Sequence, residues 1–180
     1  KGIAMKVRNV ILVGFMGTGK STVAAELAGR LGWSWVDLDA EIERHEGCTI
    51  AELFDRRGEA YFRRAETEAL KRELAGRSGR VIATGGGAVL AEHNRRTMLE
   101  NGLVVALTAT PETIVRRVKG DPSRPLLRGD VEQRVRELLE KRKHAYDFAH
   151  VRIDTTDRTV SDIAAQIAEL VEQASEKAGG

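Results

Sequence analysis

The stretch Gly14–Ser21 reads GFMGTGKS and fits the phosphate-binding pattern G-x-x-x-x-G-K-[ST]. Four apolar residues, Val10 to Val13, precede it and predict a short buried strand, and apolar residues at helical spacing follow it. Strand, glycine-rich loop and helix form the context in which backbone N–H groups cradle phosphate. Lys20 could then reach the β- and γ-phosphates of a nucleotide, and the Ser21 hydroxyl could bind Mg²⁺. Because both flanks fit, a glycine turn formed by chance is the weaker interpretation.

Strand-like runs alternate with helical patterns along the rest of the chain, which predicts an α/β domain with helices on both faces of a parallel sheet. The predicted strands are Val10–Val13, Trp33–Leu38, Val81–Thr84, Leu103–Leu107 and His150–Ile153. The predicted helices are Lys20–Leu31, Ala40–His45, Thr49–Arg57, Glu59–Leu74, Ala91–Glu100, Pro111–Val118, Val131–Ala149 and Val160–Ala174. Two segments break the alternation. Residues 39–74 insert helices that could hold a substrate, and the polar residues 119–130 predict a mobile lid.

Composition excludes several classes of function. The 180 residues fit one domain, and a single cysteine, Cys48, allows no intrachain disulfide and suits a reducing compartment. No apolar run approaches membrane-spanning length and no signal peptide is visible, so we expect a cytoplasmic protein without a membrane partner. A net charge of +2 and an aromatic content of 4% do not indicate a surface that binds nucleic acid. No coiled-coil seam calls for a second copy, and we expect a monomer.

Ligands collect beyond the carboxyl ends of strands in open parallel sheets, so residues that follow strands are candidate site residues. Asp37 and Asp39 follow the second predicted strand and share one face, because they lie two residues apart in extended chain. Two carboxylates would repel a nucleotide unless one serves a metal and the other a substrate. We therefore assign Asp37 to Mg²⁺, through water, and Asp39 to an acceptor hydroxyl that it would orient or deprotonate. The competing interpretation makes Asp39 only the N-cap of a helix that begins at Ala40.

A glycine triplet and three arginines complete the candidate site. The triplet Gly85–Gly87 follows the third strand and could let a ligand approach the backbone, although a bare triplet is more often a flexible turn. Arg63 lies on the inserted helices, Arg124 in the predicted lid and Arg142 on the helix before the last strand. Each alone is more often a solvated charge. Together, planar guanidinium groups suit carboxylate and phosphate, and Arg124 on a closing loop could act on a transferring phosphoryl group.

Taken in order along the chain, these motifs resemble those of shikimate kinases. The set comprises GFMGTGKS at 14–21, Asp37-Leu38-Asp39, Phe-Arg-Arg-x-Glu at 62–66, the glycine triplet, Arg-Pro-Leu-Leu at 124–127 and Arg142-x-x-x-Tyr146. The resemblance implies a three-layer P-loop NTPase fold that is nucleoside-monophosphate-kinase-like, with a five-stranded parallel sheet of order 2-3-1-4-5. It implies one domain over residues 1–180, with a core of 7–38, 80–118 and 131–175, a substrate-binding insert of 39–74 and a lid of 119–130.

The resemblance also implies a reaction and a role for each matching residue. ATP would phosphorylate the 3-hydroxyl of shikimate, with Lys20, Asp39 and Arg124 as the catalytic residues and Ser21 and Asp37 at Mg²⁺. The nucleotide-binding residues would be Gly17, Thr18, Gly19, Lys20, Ser21, Thr22, Arg117, Arg124 and Arg158. The shikimate-binding residues would be Asp39, Arg63, Gly85, Gly86, Gly87 and Arg142, with both arginines on the carboxylate. Near Arg158 this chain departs from some relatives, because Val160 stands where they carry proline.

One alternative is a kinase of the same architecture, and a second belongs to a different class of function. Another small-molecule kinase, such as a gluconate-type or nucleotide kinase, would share the phosphate loop and lid but differ in the insert, where this chain offers Asp39 and Arg63. A nucleotide-dependent switch or a catalytically silent binding module would also bind nucleotide. The Asn-Lys-x-Asp motif of GTPases and the Leu-Ser-Gly-Gly motif of transporter ATPases are both absent from the sequence.

Overall fold

The computed structural model of the protein describes residues 7–120 and 130–179. In these residues, five parallel strands form one sheet in the order β2-β3-β1-β4-β5. The strands are β1 Asn9–Gly14, β2 Ser34–Asp37, β3 Arg80–Ala83, β4 Leu103–Thr108 and β5 Val151–Asp154. Each confirms a predicted strand to within one residue at either end, and the order is the one that the resemblance implies.

Helices cover both faces of this sheet. They are α1 Lys20–Leu31, α2 Leu38–Glu46, α3 Ile50–Leu74, α4 Glu92–Asn101, α5 Pro111–Lys119, α6 Val131–Lys141 and α7 Val160–Gly179. The predicted break inside the inserted helices lies at Gly58, whose φ of 82° and ψ of 169° interrupt α3. A short 3₁₀ helix, Ala88–Leu90, follows the glycine triplet and was not predicted. None of the helices in the described ranges is long and apolar enough to cross a membrane.

The helix after β2 begins earlier than predicted, and this changes the interpretation of Asp39. Asp37 is the last extended residue, with φ −91° and ψ 117°, and its Oδ1 accepts a hydrogen bond from the Ala40 amide at 3.1 Å. Asp37 is therefore the N-cap of α2, and Asp39 lies in the first helical turn. The interpretation of Asp39 as the N-cap is wrong, because the strand ends one residue sooner than the apolar pattern indicates.

The predicted helix Val131–Ala149 is wrong in its second half. Helix α6 ends at Lys141, and residues 142–148 form consecutive turns. Hydrogen bonds from residue i+3 to residue i replace the helical ones, as between the Ala145 amide and Arg142 at 2.9 Å. The cause is a long-range contact, since the turns bring the Tyr146 hydroxyl to the Gly86 carbonyl at 2.8 Å.

Side chains along β1 point alternately to the two faces of the sheet, and the core accordingly consists of two apolar layers. Val10 and Leu12 pack with α1 and α7 on one face of the sheet, whereas Ile11 and Val13 pack with α2 to α6 on the other. All four side chains have no exposed surface, as expected for a central strand of a parallel sheet. Because the strands are parallel and covered on both faces, the loops at their carboxyl ends are left to form a site.

Candidate active site

The loop between β1 and α1 has the backbone shape of an anion cradle. Gly14, Gly17 and Gly19 have φ values of 145°, 77° and 89°, in a region that residues with a Cβ rarely adopt. Gly19 is also the N-cap of α1, so the positive end of the helix dipole faces the loop. The Lys20 Nζ donates to the carbonyl oxygens of Gly14 at 2.6 Å and of Phe15 at 3.0 Å. The ammonium group thus lies over the loop that it is predicted to serve.

Ser21 and Asp37 meet beside this loop. The Ser21 hydroxyl donates to Asp37 Oδ2 at 2.6 Å. Both groups are hard oxygen donors, which Mg²⁺ prefers. Within the described ranges, this site included, no group of three or more His, Cys, Asp and Glu side chains could hold a metal ion, so protein side chains alone would not complete the coordination of an ion here. A Mg²⁺ ion between these two residues would take its remaining ligands from phosphate and water, as Mg²⁺ commonly does. The donor set therefore fits the predicted ion.

A cleft of about 300 Å³ joins the phosphate loop to the ends of β2 and β3. The residues that line it are Met16, Gly17, Gly19, Lys20, Ser21, Thr22, Asp37, Asp39, Thr84, Gly85, Gly86 and Arg117. Eight of them were predicted from the residues themselves as site residues, and two more, Thr22 and Arg117, were predicted from the resemblance alone. Met16 and Thr84 were missed. Thr84 is buried and donates its hydroxyl to the Leu12 carbonyl at 2.9 Å, so it fixes the end of β3 against β1.

Arg117 and Thr18 make contacts that shape the phosphate loop. One Arg117 Nη donates to the Gly17 carbonyl at 2.9 Å and to the Thr155 hydroxyl at 3.3 Å. It thereby links the loop to the segment after β5. The Thr18 side chain is buried and donates to the Phe15 carbonyl at 2.8 Å. The hydroxyl of Thr18 thus faces into the loop, which leaves its backbone N–H as the group that could reach a phosphate.

Three charged side chains lie against the three consecutive glycines after β3. A Cβ placed on Gly85 would lie 2.8 Å from Asp39 Oδ1, and one on Gly86 would lie 3.3 Å from an Arg142 Nη. A Cβ on Gly87 would lie 2.5 Å from both Nη atoms of Arg63. The glycine triplet therefore brings together a carboxylate from α2 and two guanidinium groups, one from the turns after α6 and one from α3. These are the residues that the sequence predicts for an anionic substrate with hydroxyl groups.

A buried carboxyl group, Glu66, lies beneath this cluster. Its side chain is 1% exposed, and its Oε1 accepts from an Arg63 Nη at 2.9 Å. Burial and, to a lesser degree, the nearby charge of Asp39 raise the pKa of Glu66 from 4.5 to about 7, against the lowering effect of Arg63 and Arg142. Glu66 therefore holds one guanidinium group and keeps its own proton to a higher pH than an ordinary carboxyl group does.

Tyr146 fixes the glycine triplet from the other side. Its hydroxyl donates to the Gly86 carbonyl at 2.8 Å, and burial raises the pKa of this phenol above its ordinary value. The neighbouring Arg142 places its Cζ 5.9 Å from the centre of the Phe15 ring, next to the phosphate loop. Glu66 and Tyr146 both belong to motifs quoted above, yet no role was assigned to them. Their spacing of three or four residues from an arginine was the available signal.

Of the remaining predicted arginines, Arg158 lies away from the cleft, and Arg124 cannot be placed within the described residues. The Arg158 guanidinium is exposed and donates to Gln166 Oε1 at 2.7 Å on α7, and Arg158 is not among the residues that line the cleft. Arg124 lies outside the described residues, as does the 121–129 part of the predicted lid.

Comparison with known proteins gives one consistent family. The family model described as shikimate kinase matches residues 16–172. A shikimate kinase of Geobacter sulfurreducens is 52% identical over 167 residues, which cover 92% of this chain and 92% of the relative. A shikimate kinase of Pelotomaculum thermopropionicum is 45% identical over 93% of this chain and 97% of the relative. Among solved structures, the shikimate kinase from Acinetobacter baumannii in complex with shikimate superposes with a TM-score of 0.86 at 41% identity, covering 93% of this chain and 94% of that one.

Proposed function

The chain belongs to the shikimate kinase family, and on this premise we propose which of its residues carry the reaction. It is an ATP-dependent phosphotransferase that moves the γ-phosphoryl group of ATP to the 3-hydroxyl of shikimate and releases ADP, a reaction of the shikimate pathway to aromatic amino acids. A gluconate-type or nucleotide kinase is not favoured, since the relatives reported above, which are 41–52% identical to this chain, are shikimate kinases.

The observation that supports the residue roles best is the convergence of Asp39, Arg142 and Arg63 on the glycine triplet, at the edge of the cleft that holds the phosphate loop. We assign the shikimate carboxylate to the two guanidinium groups, because planar guanidinium groups bind carboxylates through paired N–H donors. We assign the reacting hydroxyl to Asp39, which lines the cleft and can accept its hydrogen bond. Backbone groups of Gly85, Gly86 and Gly87 complete the substrate side.

The nucleotide side rests on the phosphate loop. Backbone N–H groups from Gly17 to Thr22 surround the phosphates in this proposal, and Lys20 exchanges its two loop carbonyl partners for phosphate oxygens. Ser21 and Asp37 hold Mg²⁺, which supplies positive charge to the phosphates when it is bound. Positioning and electrostatics carry most of the catalysis of phosphoryl transfer, so these fixed charges are the chief contribution of the loop.

The remaining assignments rest on the resemblance. Arg117 packs on adenine, Arg158 lies near it, and Arg124 contacts the ATP phosphates in this proposal. The same holds for the division into a core, a substrate-binding insert of 39–74 and a lid of 119–130. We further propose that the enzyme acts in the cytoplasm, which the lone cysteine supports, and that it acts as a monomer, since the sequence has no coiled-coil seam.

Exchange of Arg63 for alanine tests the carboxylate assignment. A hydrogen bond to a charged group contributes about 1.5–3 kcal/mol, and about 1.4 kcal/mol corresponds to a factor of ten. We therefore expect Arg63→Ala to raise the KM for shikimate at least about tenfold, as measured by ADP release with Mg²⁺ and saturating ATP. Arg64→Ala is the matched control, since Arg64 is the next residue on α3 and is exposed.

The outcomes separate the proposal from its competitors. An unchanged KM in Arg63→Ala, or an equal rise in Arg64→Ala, would contradict the assignment of Arg63. Running the same assay with gluconate and with nucleoside monophosphates tests the substrate class. Shikimate should stimulate ADP release, and the other two should leave it at the background rate.

A further inference from the structure

The glycine triplet does not need glycine for its backbone conformation. Gly85, Gly86 and Gly87 all lie outside the region of positive φ that favours glycine, and Gly87 has φ −97° and ψ 0°. Residues other than glycine also adopt these angles, for example at the third position of type I turns. This sets the triplet apart from the phosphate loop, where Gly14, Gly17 and Gly19 do have positive φ.

The triplet instead needs the space that a side chain would fill. At Gly87 an added Cβ would lie 2.5 Å from both Nη atoms and 2.8 Å from the Cζ of Arg63, whereas ordinary contact begins at 3.4 Å. At Gly85 it would lie 2.8 Å and 3.2 Å from the two carboxylate oxygens of Asp39. At Gly86 the conflict is milder, with 3.3 Å to an Arg142 Nη and 3.7 Å to backbone atoms of the phosphate loop.

We propose that Gly85 and Gly87 are positioning residues that act by lacking a side chain: Gly85 sets the position of the Asp39 carboxylate and Gly87 that of the Arg63 guanidinium. The proposal rests on the proposed roles of Asp39 and Arg63 and goes beyond them.

The chemical consequence differs between the two positions. A Cβ on Gly87 would push the guanidinium by about 1 Å, since that is the shortfall from normal carbon–nitrogen contact. Arg63 can move, because its guanidinium is at the far end of a flexible side chain, and it would leave the place where it meets Glu66. A displacement of this size can cost about a hundredfold in rate, and the loss of a hydrogen bond to a charged group weakens binding by roughly 10–100-fold. Substrate binding should suffer at Gly87, and turnover should suffer at Gly85.

A double-substitution experiment on the full chain tests this inference. Steady-state kinetics with shikimate and ATP are measured for Gly87→Ala, Arg63→Ala and the double variant, with thermal unfolding of each. We expect Gly87→Ala to raise the KM for shikimate roughly 10–100-fold with a much smaller change in kcat. If Gly87 acts through Arg63, the double variant should have the KM of Arg63→Ala alone, because the guanidinium that would be displaced is already absent.

Gly29→Ala is the control for adding a methyl group. Gly29 lies in α1, is not in the positive-φ region, and an added Cβ would meet no heavy atom within 4 Å. Its kinetic constants should match those of the wild type. Gly85→Ala, measured in parallel, should lower kcat through Asp39 and leave the KM for shikimate much less affected.

The outcomes also distinguish this inference from the assignment of Arg63 itself. If Arg63→Ala leaves the KM unchanged, the carboxylate role fails. Suppose instead that Arg63→Ala raises the KM and that the KM of the double variant is higher still, by the factor that Gly87→Ala causes alone. Gly87 then acts independently of Arg63, and the inference is overturned. A Gly87→Ala variant that does not fold would overturn it as well. The added methyl group would then disrupt the fold instead of displacing the Arg63 guanidinium.

Discussion

Replacing Glu66 by glutamine tests the buried carboxyl group beneath the substrate cluster. Glutamine has nearly the shape of protonated glutamate and keeps an oxygen that can accept from Arg63, but it carries no titratable proton. Glu66 is 1% exposed, so solvent does little to screen its environment. Its pKa in the folded protein is about 7, against 4.5 in an unfolded chain, chiefly because burial disfavours the charged form.

The sign and size of the effect follow from proton binding. Below pH 4.5 both states hold the proton, and the contribution to stability is fully present. As the pH rises from 4.5 to about 7, the unfolded chain releases the proton and the folded chain keeps it, so the free energy of unfolding falls. The slope is about 1.4 kcal/mol per pH unit, which amounts to about 3 kcal/mol over this window. Above pH 7 that contribution is lost.

Urea denaturation of the wild type and Glu66→Gln between pH 4.5 and pH 8 measures this contribution. The free energy of unfolding of Glu66→Gln relative to the wild type should rise by about 3 kcal/mol across the range. Glu68→Gln is the control on the same helix, since its side chain is 63% exposed and its pH profile should run parallel to the wild type. A constant difference between Glu66→Gln and the wild type at every pH would refute the raised pKa.

Two further predictions concern the phosphate loop. Lys20→Ala should abolish turnover while thermal unfolding stays within a few degrees of the wild type, because the lysine acts on phosphate and its loop carbonyl partners are neutral groups; substantial activity would exclude the role. Gly14→Ala should destabilise the protein by at least about 2 kcal/mol in urea denaturation, because Gly14 has a φ of 145° and an added Cβ would collide with the Leu107 carbonyl of β4; a smaller loss would contradict the rigidity of that contact.

Features set by local sequence could be predicted, and they include most of the fold. The apolar run Val10 to Val13 and the motif Gly14–Ser21 are contiguous, so strand, loop and helix follow from neighbouring residues alone. The site side of the sheet also follows, because parallel strands end together. For the same reason the sequence alone places Asp39 and the triplet Gly85–Gly87 near the phosphate loop.

Features set by distant contacts could not be predicted in the same way. The turns at residues 142–148 replace a predicted helix because the Tyr146 hydroxyl meets the Gly86 carbonyl, a partner 60 residues away in sequence. The burial of Glu66 is a similar case. The residue pattern of its helix does not indicate that Asp39, Arg63 and Arg142 converge around it. Asp37 is the N-cap of α2 because β2 ends one residue earlier than the apolar pattern predicts.

Glycine is required for different physical reasons in the phosphate loop and in the glycine triplet. At Gly19 an added Cβ would meet no heavy atom within 4 Å, yet φ is 89°, so conformation alone excludes a side chain there. At Gly87 the conformation is ordinary, and the space is taken by Arg63. In the proposed roles, backbone N–H groups that positive φ turns inward would bind the phosphates, and guanidinium groups that fit only because the side chains are missing would bind the carboxylate. A motif written only as glycines cannot distinguish these cases. The residues that pack against each glycine do, and they determine whether a substitution strains the loop or displaces a charge.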